Sequence, residues 1–266
     1  MKITFVGGGV MGEAIIKGIL ANGSTVPRDI IASDINSERL SSLKQGYGIE
    51  TSYSNRQAVE ASDVVVLAVK PQNLGAISEE LRGGLQPHQL VLSIIAGATI
   101  ATITNSLGHS AVVRAMPNTP AQIGEGMTVW TASSEVSQSQ KEAAQSILGA
   151  LGKEVYVPDE KYIDMATAVS GSGPAYIFLV MEALIDVAVD IGLPREMAEE
   201  LVLHTVLGAA RLAQETGKYP KELREMVTSP GGTTEKGLLQ LEEGDLRVLL
   251  ARAVIAAYEK AKELGS

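Results

Sequence analysis

Apolar and polar positions divide the chain into two halves of different character. In the first half, short apolar runs without clean polar alternation are separated by segments of helical periodicity. Such runs are typical of strands covered on both faces, as in a parallel sheet. The pattern predicts strands at residues 2–6, 29–34, 63–69, 90–94, 111–115, 127–131 and 154–157, and helices at 10–22, 37–44, 73–83, 99–106 and 137–151. We therefore expect a doubly wound α/β domain of the Rossmann type.

The second half is predicted to be all-helical. After about residue 158 the sequence keeps helical periodicity and contains no convincing strand. The candidate helices cover residues 174–191, 195–216, 220–227, 234–243 and 246–264. A chain of 266 residues is long enough for two domains, and we place them at residues 1–160 and 161–266.

The helix at residues 174–191 is apolar around most of its circumference. Glu182, Asp186 and Asp190 are four residues apart and form one narrow polar stripe. Such a helix needs more neighbours than one small helical domain supplies. The pattern therefore predicts a homo-oligomer in which these helices pack between subunits, with the central helix of a large monomeric bundle as the alternative.

Composition narrows the chemistry. The chain contains no cysteine, so disulfides, thiolate nucleophiles and cysteine-ligated metals are excluded, and redox chemistry requires a bound cofactor. His88, His109 and His204 lack ligand-like spacing, so no metal site is expected. The net charge of −9 argues against nucleic acid or an anionic membrane as a partner.

Nothing in the sequence indicates a secretory or membrane-bound protein. No basic segment followed by an apolar one precedes the first predicted strand. The most apolar stretch, residues 177–191, is interpreted as too short and too charged to span a bilayer. We therefore expect a cytoplasmic protein.

A glycine-rich loop follows the first predicted strand. Gly7, Gly9 and Gly12 fit the pattern G-x-G-x-x-G between a strand and a helix. In that pattern the first glycine permits the tight turn, the second lets a pyrophosphate approach the backbone, and the third allows the helix to pack on the sheet. The unpaired N–H groups where the helix begins, at Val10 and Met11, complete a predicted dinucleotide site.

An acidic residue supports this interpretation. Asp34 ends the second predicted strand, 22 residues after Gly12, close to the spacing of a ribose-binding acid. A tight turn without a ligand would leave the third glycine and this acid unexplained. A carboxylate accepts hydrogen bonds from a free 2′-hydroxyl and repels a 2′-phosphate, whereas Ser33, Asn36 and Arg39 are suited to a phosphate. The choice between NADH and NADPH therefore stays open.

Other segments follow strands and are expected to line the same crevice. Lys70 and Pro71 close the third strand, where Lys70 either contacts the cofactor or is a solvated charge. Residues 95–99 and 116–120 also follow strands, although a plain proline-rich turn explains the second segment equally well.

Two segments of the helical half are rich in glycine and hydroxyl side chains. Residues 170–176, SGSGPAY, and residues 228–237, TSPGGTTEKG, each lead into a predicted helix. Backbone N–H groups and hydroxyls at a helix N-terminus bind carboxylates. Helix capping by Ser172 or Thr234 accounts for one such residue, but it explains the glycine content poorly.

Taken together, these motifs resemble the pyrroline-5-carboxylate reductase family over essentially the whole chain. The resemblance implies hydride transfer from NAD(P)H to the C=N bond of 1-pyrroline-5-carboxylate, which gives L-proline. It also implies helical domains that interlock into homodimers, and dimers that build a larger ring, a decamer. The matching segments are the loop at Gly7–Gly12, Ala68–Pro71, Met116–Pro120, Ser170–Tyr176 and Ser229–Thr234.

Carried over residue by residue, the resemblance implies a substrate site at Gly232, Thr233 and Thr234. These residues hold the carboxylate and the ring nitrogen, with the Thr234 hydroxyl as the catalytic group near the nitrogen, and Ser172 is a further substrate-binding candidate. The expected cofactor-binding residues are Gly7, Gly9, Val10, Met11, Gly12, Ser33, Asp34, Asn55, Val69, Lys70, Pro71 and Ala96.

Two positions depart from the family pattern. Met226 stands where some members have an asparagine near the cofactor, which puts a side-chain contact there in doubt. Asp34 stands where members that prefer NADPH have a small neutral residue. The resemblance as a whole favours NADPH slightly, with NADH as the alternative.

The sequence offers two alternatives to this function, a β-hydroxyacid dehydrogenase and a nucleotide-sensing protein. A β-hydroxyacid dehydrogenase would share the layout, but such enzymes resemble one another in using a lysine and an asparagine on a central helix. Residues 174–191 contain no lysine, and no asparagine follows Asn118. A nucleotide-sensing protein without turnover would have no use for the two segments rich in glycine and hydroxyls.

Overall fold

The computed structural model describes residues Met1–Gly265; Ser266, the last residue of the predicted second domain, lies outside the described residues. The strands are β1 (Ile3–Val6), β2 (Ile30–Ser33), β3 (Glu50–Ser52), β4 (Val64–Leu67), β5 (Leu90–Ser93), β6 (Val112–Met116), β7 (Gly126–Ala132) and β8 (Gly152–Tyr156). The first helices are α1 (Val10–Ala21), α2 (Ser37–Tyr47), α3 (Asn55–Val59), α4 (Leu74–Leu81), α5 (Ile100–Leu107), α6 (Gln138–Gly149) and α7 (Lys161–Ala166). The remaining helices are α8 (Gly173–Asp190), α9 (Arg195–Thr216), α10 (Pro220–Met226), α11 (Thr233–Glu243) and α12 (Leu246–Gly265).

All the strands form one sheet in the order β3-β2-β1-β4-β5-β6-β7-β8. Neighbouring strands are parallel except for the β6–β7 pair, which is antiparallel. The chain therefore moves outward in one direction from β1 to β3 and in the other from β4 onward. In such a sheet the ligand crevice lies at the carboxyl ends of the strands where the order reverses, here β1 and β4. The predicted doubly wound α/β fold is confirmed.

Both faces of the sheet are buried, which explains the continuous apolar runs. In β4, Val64 and Val66 belong to one hydrophobic cluster, whereas Val65 and Leu67 belong to the other. Successive side chains of a strand point to opposite faces, so a strand covered on both sides has few polar positions. The first cluster includes side chains of α1 and α6, and the second includes side chains of α3, α4 and α5.

Three short elements escaped the sequence analysis. Strand β3 is a polar edge strand with no buried side chain, so it carries no hydrophobic pattern. Helix α3 has 5 residues and α7 has 6, too few for helical periodicity to be visible. The Ser54 hydroxyl caps α3 by accepting a hydrogen bond from the N–H group of Gln57, and this is the one local signal at that position.

The chain divides into two compact units. The first consists of Met1–Ser172 together with the end of α12 from Ala257 onward, and the second consists of Gly173–Ala256. The sequence placed the boundary at residues 160 and 161, before α7. In the structure, Arg114 of β6 binds Glu160 and Asp164 of the α7 region at 2.8 and 2.6 Å, which explains why α7 belongs to the first unit.

The second unit is helical, as predicted, but it has almost no core of its own. Ala198 and Val202 of α9 are its only buried residues among those described. Most of its large apolar side chains are exposed, including Leu179 at 65%, Val187 at 58% and Ile191 at 78%. Helices α8 and α9 pack together, with Arg195 donating to Asp186 at 3.2 Å.

One helical run is longer than the sequence analysis expected. Residues 161–190 form 30 helical residues, and an 18-residue window within them has a mean hydropathy of 1.6, enough by length and composition alone to cross a membrane. A π-type turn at residues 167–171 joins α7 to α8. There the N–H group of Ser172 donates to the carbonyl of Thr167 at 2.8 Å. The helical run is therefore longer than the apolar stretch at residues 177–191, which the sequence indicated was too short to span a bilayer. The core helix of a soluble protein passes the same test of length and composition.

Candidate functional site

The glycine loop between β1 and α1 has the backbone that a dinucleotide requires. Gly7 has a φ of +100°, and a Cβ atom there would lie 2.5 Å from the carbonyl oxygen of Ala68. A Cβ atom on Gly12 would lie 2.6 Å from the carbonyl oxygen of Gly7. Both positions therefore require glycine for the turn and for close packing of α1.

Gly9 serves a different purpose. A Cβ atom added there would meet no atom within 4 Å, so the space above its backbone is open. Gly9 is also the N-cap of α1, and no side chain caps this helix. The first N–H groups of a helix have no partner within the helix, and they lie at the positive end of its dipole. The loop therefore offers an open backbone cradle for a phosphate group.

A cleft of about 280 Å³ lies beside this loop. It forms where the carboxyl ends of β1, β2 and β4 meet, which is the crevice expected of this sheet. The structure therefore brings several of the predicted cofactor residues together in one cleft. Its lining residues are Val6, Gly7, Ser33, Asp34, Ile35, Asn55, Val69, Asn73, Ala76, Ile77 and Glu80.

Hydrogen bonds fix the polar side chains of the cleft. Asp34 Oδ2 accepts the Gly8 N–H group at 2.8 Å, and Asp34 Oδ1 accepts the Asn36 N–H group at 2.9 Å. Asn55 Oδ1 accepts the Ser33 hydroxyl at 2.7 Å. The carboxylate and the amide are thus held in place at the ends of β2 and α3, where the ribose of a dinucleotide is bound in this fold.

One side of the cleft was not foreseen. Asn73, Ala76, Ile77 and Glu80 line it from α4 and the residue before that helix. Their spacing of three and four residues marks one face of a helix, so the predicted helix at 73–83 contained this signal. Glu80 Oε2 accepts the Asn55 Nδ2 group at 2.7 Å, which ties this face to α3.

The other predicted cofactor residues lie on neighbouring loops. Val10 is exposed at the start of α1, and Met11 is half-buried beside it. Lys70 is exposed after β4, and Pro71 begins the short 3-10 turn that follows. Ala96 is half-buried in the loop after β5. These residues belong to the first unit but do not line the cleft itself.

The predicted substrate residues begin α11 in the second unit. Gly232 is the N-cap of this helix, and no side chain caps it. Gly231, with a φ of +73°, donates its N–H group to Glu235 Oε2 at 2.6 Å, which holds the tight turn. Thr234 is half-buried and Thr233 is exposed in the first turn. An uncapped helix start that carries two threonine hydroxyls suits a small carboxylate.

Ser172 does not belong to the same unit as these residues. It ends the π-type turn before α8 and belongs to the first unit, whereas Gly232, Thr233 and Thr234 belong to the second. Its role in substrate binding stays a prediction. Met226 ends α10 with 65% of its side chain exposed, and the Lys218 ammonium lies 3.5 Å from its sulfur.

Comparison with known proteins gives the family. A protein from Synechocystis named pyrroline-5-carboxylate reductase is 43% identical over 265 residues, covering 100% of this chain and 98% of that protein. The chain belongs to the pyrroline-5-carboxylate reductase family. The resemblance noted from the motifs is confirmed.

Two family models divide the chain between them. The model described as pyrroline-5-carboxylate reductase dimerisation matches residues 160–264. The model described as NADP oxidoreductase coenzyme F420-dependent matches residues 2–97, which include the glycine loop and every residue that lines the cleft. The first match begins near the predicted boundary at residues 160 and 161, whereas the compact units divide at Ser172 and Gly173.

Solved pyrroline-5-carboxylate reductases share the fold over their whole length. The structure from Coxiella burnetii is 45% identical with a TM-score of 0.91, covering 100% of this chain and 98% of that one. A structure from Plasmodium falciparum, determined with NADP bound, is 31% identical with a TM-score of 0.91 and the same coverage. This chain is therefore a nicotinamide-dependent oxidoreductase by family, which accords with the open cradle at Gly9.

Proposed function

We propose that this chain reduces 1-pyrroline-5-carboxylate to L-proline with NADH or NADPH. The observation that carries the proposal is the agreement over the full length of the chain with proteins of that name, at 43% identity and 100% coverage. The cleft beside an open helix N-terminus in the first unit supports the binding of a dinucleotide. The uncapped start of α11 in the second unit supports a small carboxylate.

The reaction adds a hydride to the carbon of a C=N bond and a proton to its nitrogen. A bound nicotinamide supplies the hydride, and the oxidised dinucleotide and the cyclic amine are the products. A protonated imine is already electrophilic, so the protein need not supply a strong acid. Its task is to hold the substrate and to assist the nitrogen as the positive charge disappears from the C=N bond.

Each unit contributes residues to this task. The backbone around Gly9 and the α1 N-terminus would hold the pyrophosphate, and Asp34 would bind the adenosine ribose. In the second unit, the N–H groups at Gly232 and Thr233 would hold the substrate carboxylate, and the Thr234 hydroxyl would hydrogen-bond the ring nitrogen. Ser172, Lys70, Pro71 and Ala96 stay candidates for further contacts.

The assembly and location follow from the same arguments. A helical unit whose apolar side chains are mostly exposed requires a partner, and a second copy of the chain supplies the same apolar surface. We propose a homodimer that assembles further into a ring, with a decamer as the expected form. We also propose a cytoplasmic enzyme, and the net charge of −9 argues against nucleic acid or an anionic membrane as a partner.

An absorbance assay tests the function. Purified protein is mixed with 1-pyrroline-5-carboxylate and either NADH or NADPH, and the loss of reduced nicotinamide is followed for each, with L-proline identified as the product. Glyoxylate and 3-oxoacids replace the imine in parallel. If the imine causes no loss of NADH or of NADPH, the result would favour a nucleotide-binding protein without turnover. Faster reduction of the oxoacids would favour the β-hydroxyacid dehydrogenase alternative.

A further inference from the structure

Two residues that contact the glycine loop favour opposite cofactors. An acid at the end of the second strand binds the ribose 2′-hydroxyl of NAD, whereas a nearby arginine accommodates the 2′-phosphate of NADP. Asp34 and Arg39 represent both possibilities in this chain, and the sequence alone left the choice open. The hydrogen bonds of the two side chains decide between them.

Asp34 faces the cleft in a fixed position. Its two oxygens accept the N–H groups of Gly8 and Asn36 at 2.8 and 2.9 Å, so the carboxylate does not need to move to meet a ribose. It lines the cleft together with Gly7 of the loop. Each carboxylate oxygen has more than one acceptor position, so both retain capacity for hydroxyl donors.

A second carboxylate shares the cleft. Glu80 Oε2 accepts the Asn55 amide at 2.7 Å, and Glu80 Oε1 accepts the Arg56 N–H group at 3.2 Å. Neither lysine nor arginine is among the residues that line the cleft. A phosphate monoester brings between one and two negative charges at neutral pH, and like charges in a partly buried cleft repel one another. The cleft therefore disfavours a 2′-phosphate.

Arg39, which follows Asp34 by five residues, is held by other groups. Its Nε donates to the carbonyl of Gly8 and its Nη2 forms an ion pair with Glu13 of α1. The Tyr47 hydroxyl donates to the other oxygen of Glu13 at 2.9 Å. Burial raises the pKa of Glu13, but the hydrogen bonds from Arg39 and Tyr47 outweigh it and leave the pKa below its usual value.

This arrangement links α2 to the glycine loop. A Cβ atom on Gly8 would lie 3.5 Å from Asp34 Oδ2 and 3.6 Å from Arg39 Cγ, so both side chains pack against the same residue. To reach a phosphate through the same donors, the Arg39 guanidinium would have to leave a carboxylate and a carbonyl. Arg39 therefore stabilises the loop rather than recognising a phosphate.

The geometry points to a chain that selects NADH, with Asp34 as the residue that recognises the ribose and Glu13 as the positioning residue that keeps Arg39 away from the 2′ position. The inference rests on the dinucleotide cleft of the proposed function and not on the substrate. It replaces the slight expectation of NADPH from the family resemblance.

Binding by the full chain tests this inference without turnover. Calorimetric titration compares NADH with NADPH, and ADP-ribose with 2′-phospho-ADP-ribose. In each pair the ligand without the 2′-phosphate is expected to bind at least tenfold more tightly. Equal or tighter binding of the phosphorylated member overturns the inference. Selective binding of NADH without reduction of the imine would overturn the proposed substrate and leave the inference standing.

Two variants separate the roles of the acids. Asp34→Ser is expected to weaken NADH binding about tenfold and to move the NADPH to NADH affinity ratio at least tenfold toward NADPH. Glu13→Gln is expected to free Arg39 and to tighten NADPH binding about threefold to tenfold, with less change for NADH. In the double variant Glu13→Gln with Arg39→Ala, the gain for NADPH should disappear.

Glu38→Gln is the matched control for charge. Glu38 is an exposed acid in the first turn of α2 that lines no part of the cleft, and its replacement changes the net charge by the same single unit as Glu13→Gln. If Glu13→Gln shifts the NADPH to NADH affinity ratio no more than Glu38→Gln does, Glu13 is excluded as the positioning residue. An unchanged ratio in Asp34→Ser would exclude Asp34. Circular dichroism of each variant establishes that it is folded.

Discussion

Gly7 and Gly9 are two residues apart in the loop, yet an added methyl group meets different surroundings at each. At Gly7 it would lie 2.5 Å from the Ala68 carbonyl oxygen on a backbone with φ of +100°. At Gly9 it would meet no atom within 4 Å, and the φ of −66° suits any residue. Gly7 is therefore required for folding, and Gly9 keeps open the space that a phosphate group would occupy.

We expect Gly7→Ala to destabilise the first unit by about 1–3 kcal/mol, the usual cost of a strained backbone. Gly9→Ala should change stability by less than about 0.5 kcal/mol but weaken NADH binding at least tenfold, because the methyl group occupies the cradle. Urea unfolding and calorimetric titration measure the two effects. The assignment of roles fails if Gly9→Ala binds NADH as the unchanged chain does.

Thr234 is the residue through which the second unit would assist the chemistry. Thr234→Ala removes one positioned hydroxyl, so we expect kcat to fall about tenfold to a thousandfold. Thr234→Ser keeps the hydroxyl and should stay within about fivefold of the unchanged chain, whereas both variants should bind NADH normally, since the proposed cofactor residues lie in the other unit. Full activity of Thr234→Ala in the absorbance assay would remove Thr234 from the mechanism.

Between elements, buried charge holds α7 on the sheet. Arg114 in β6 has only 3% of its side chain exposed and binds both Glu160 and Asp164. Glu160 also accepts the N–H group of Ile100 at the start of α5 at 2.8 Å. A single arginine thus connects three elements of the first unit.

Arg114→Met is expected to destabilise the protein by about 3 kcal/mol, because it leaves two partly buried carboxylates without their partner. The matched control is Lys161→Met, which breaks a pair with Asp159 whose side chains are 58% and 47% exposed and should destabilise the protein far less. Urea unfolding of both variants gives the comparison. Equal losses would mean that the Arg114 pair contributes no more than a surface pair.

The link from α1 to α2 makes a prediction about pH. The pKa of Glu13 is below its usual value because hydrogen bonds from Arg39 and Tyr47 outweigh the effect of burial. A lowered pKa means that the ionised group stabilises the folded state above the ordinary glutamate pKa, and that this stabilisation is lost as the pH falls through the folded value. Glu13→Gln should therefore be less stable than the unchanged chain at pH 7.

The difference should shrink as the pH falls below the ordinary glutamate pKa and through the lowered pKa of Glu13, because the carboxyl then becomes protonated. Thermal unfolding of both proteins across the acid range measures it. Glu38→Gln, which removes an exposed acid of α2, should show a small difference from the unchanged chain at every pH. A difference in stability between Glu13→Gln and the unchanged chain that stays constant across the whole acid range would contradict the role of the ionised Glu13.

Sequence patterns predicted these elements unevenly, and the reason is physical. Strands such as β4 are covered on both faces, so every position is apolar and the pattern is strong. Strand β3 is a polar edge strand and α7 has 6 residues, so neither shows hydrophobic periodicity. The α7 region is held by ion pairs with Arg114, which lies more than 40 residues earlier in the chain, and local patterns do not report such contacts.

The site divides in the same way. Gly7, Gly12 and Asp34 were predictable because a tight turn, close packing and a ribose each require a particular residue type at a fixed spacing. Glu80 and the partners of Arg39 were not, because their roles depend on which side chains meet in space. Whether Asp34 or Arg39 determines the cofactor is therefore a question that only the hydrogen bonds answer.

At the scale of the whole molecule, the second unit exposes more apolar surface than a single chain usually does. Among its described residues the second unit buries only Ala198 and Val202, while Leu179 and Val187 of α8 are 65% and 58% exposed. Apolar surface on this scale is unusual for a monomer and marks an interface. Stability of the second unit should therefore depend on association and, by mass action, on protein concentration.

Leu184, 49% exposed, lies on the face of α8 opposite the polar stripe, so Leu184→Lys places a charge on the apolar surface and should shift the protein from oligomer toward single chains with loss of helical signal. Glu182→Gln changes the charge by the same one unit on the polar stripe of the same helix and should leave the assembly intact. Sedimentation velocity with far-ultraviolet circular dichroism measures both. Because the second unit contains Thr234, dissociation should abolish imine reduction while NADH binding by the first unit is retained. A fully active monomer in the unchanged chain would contradict this dependence.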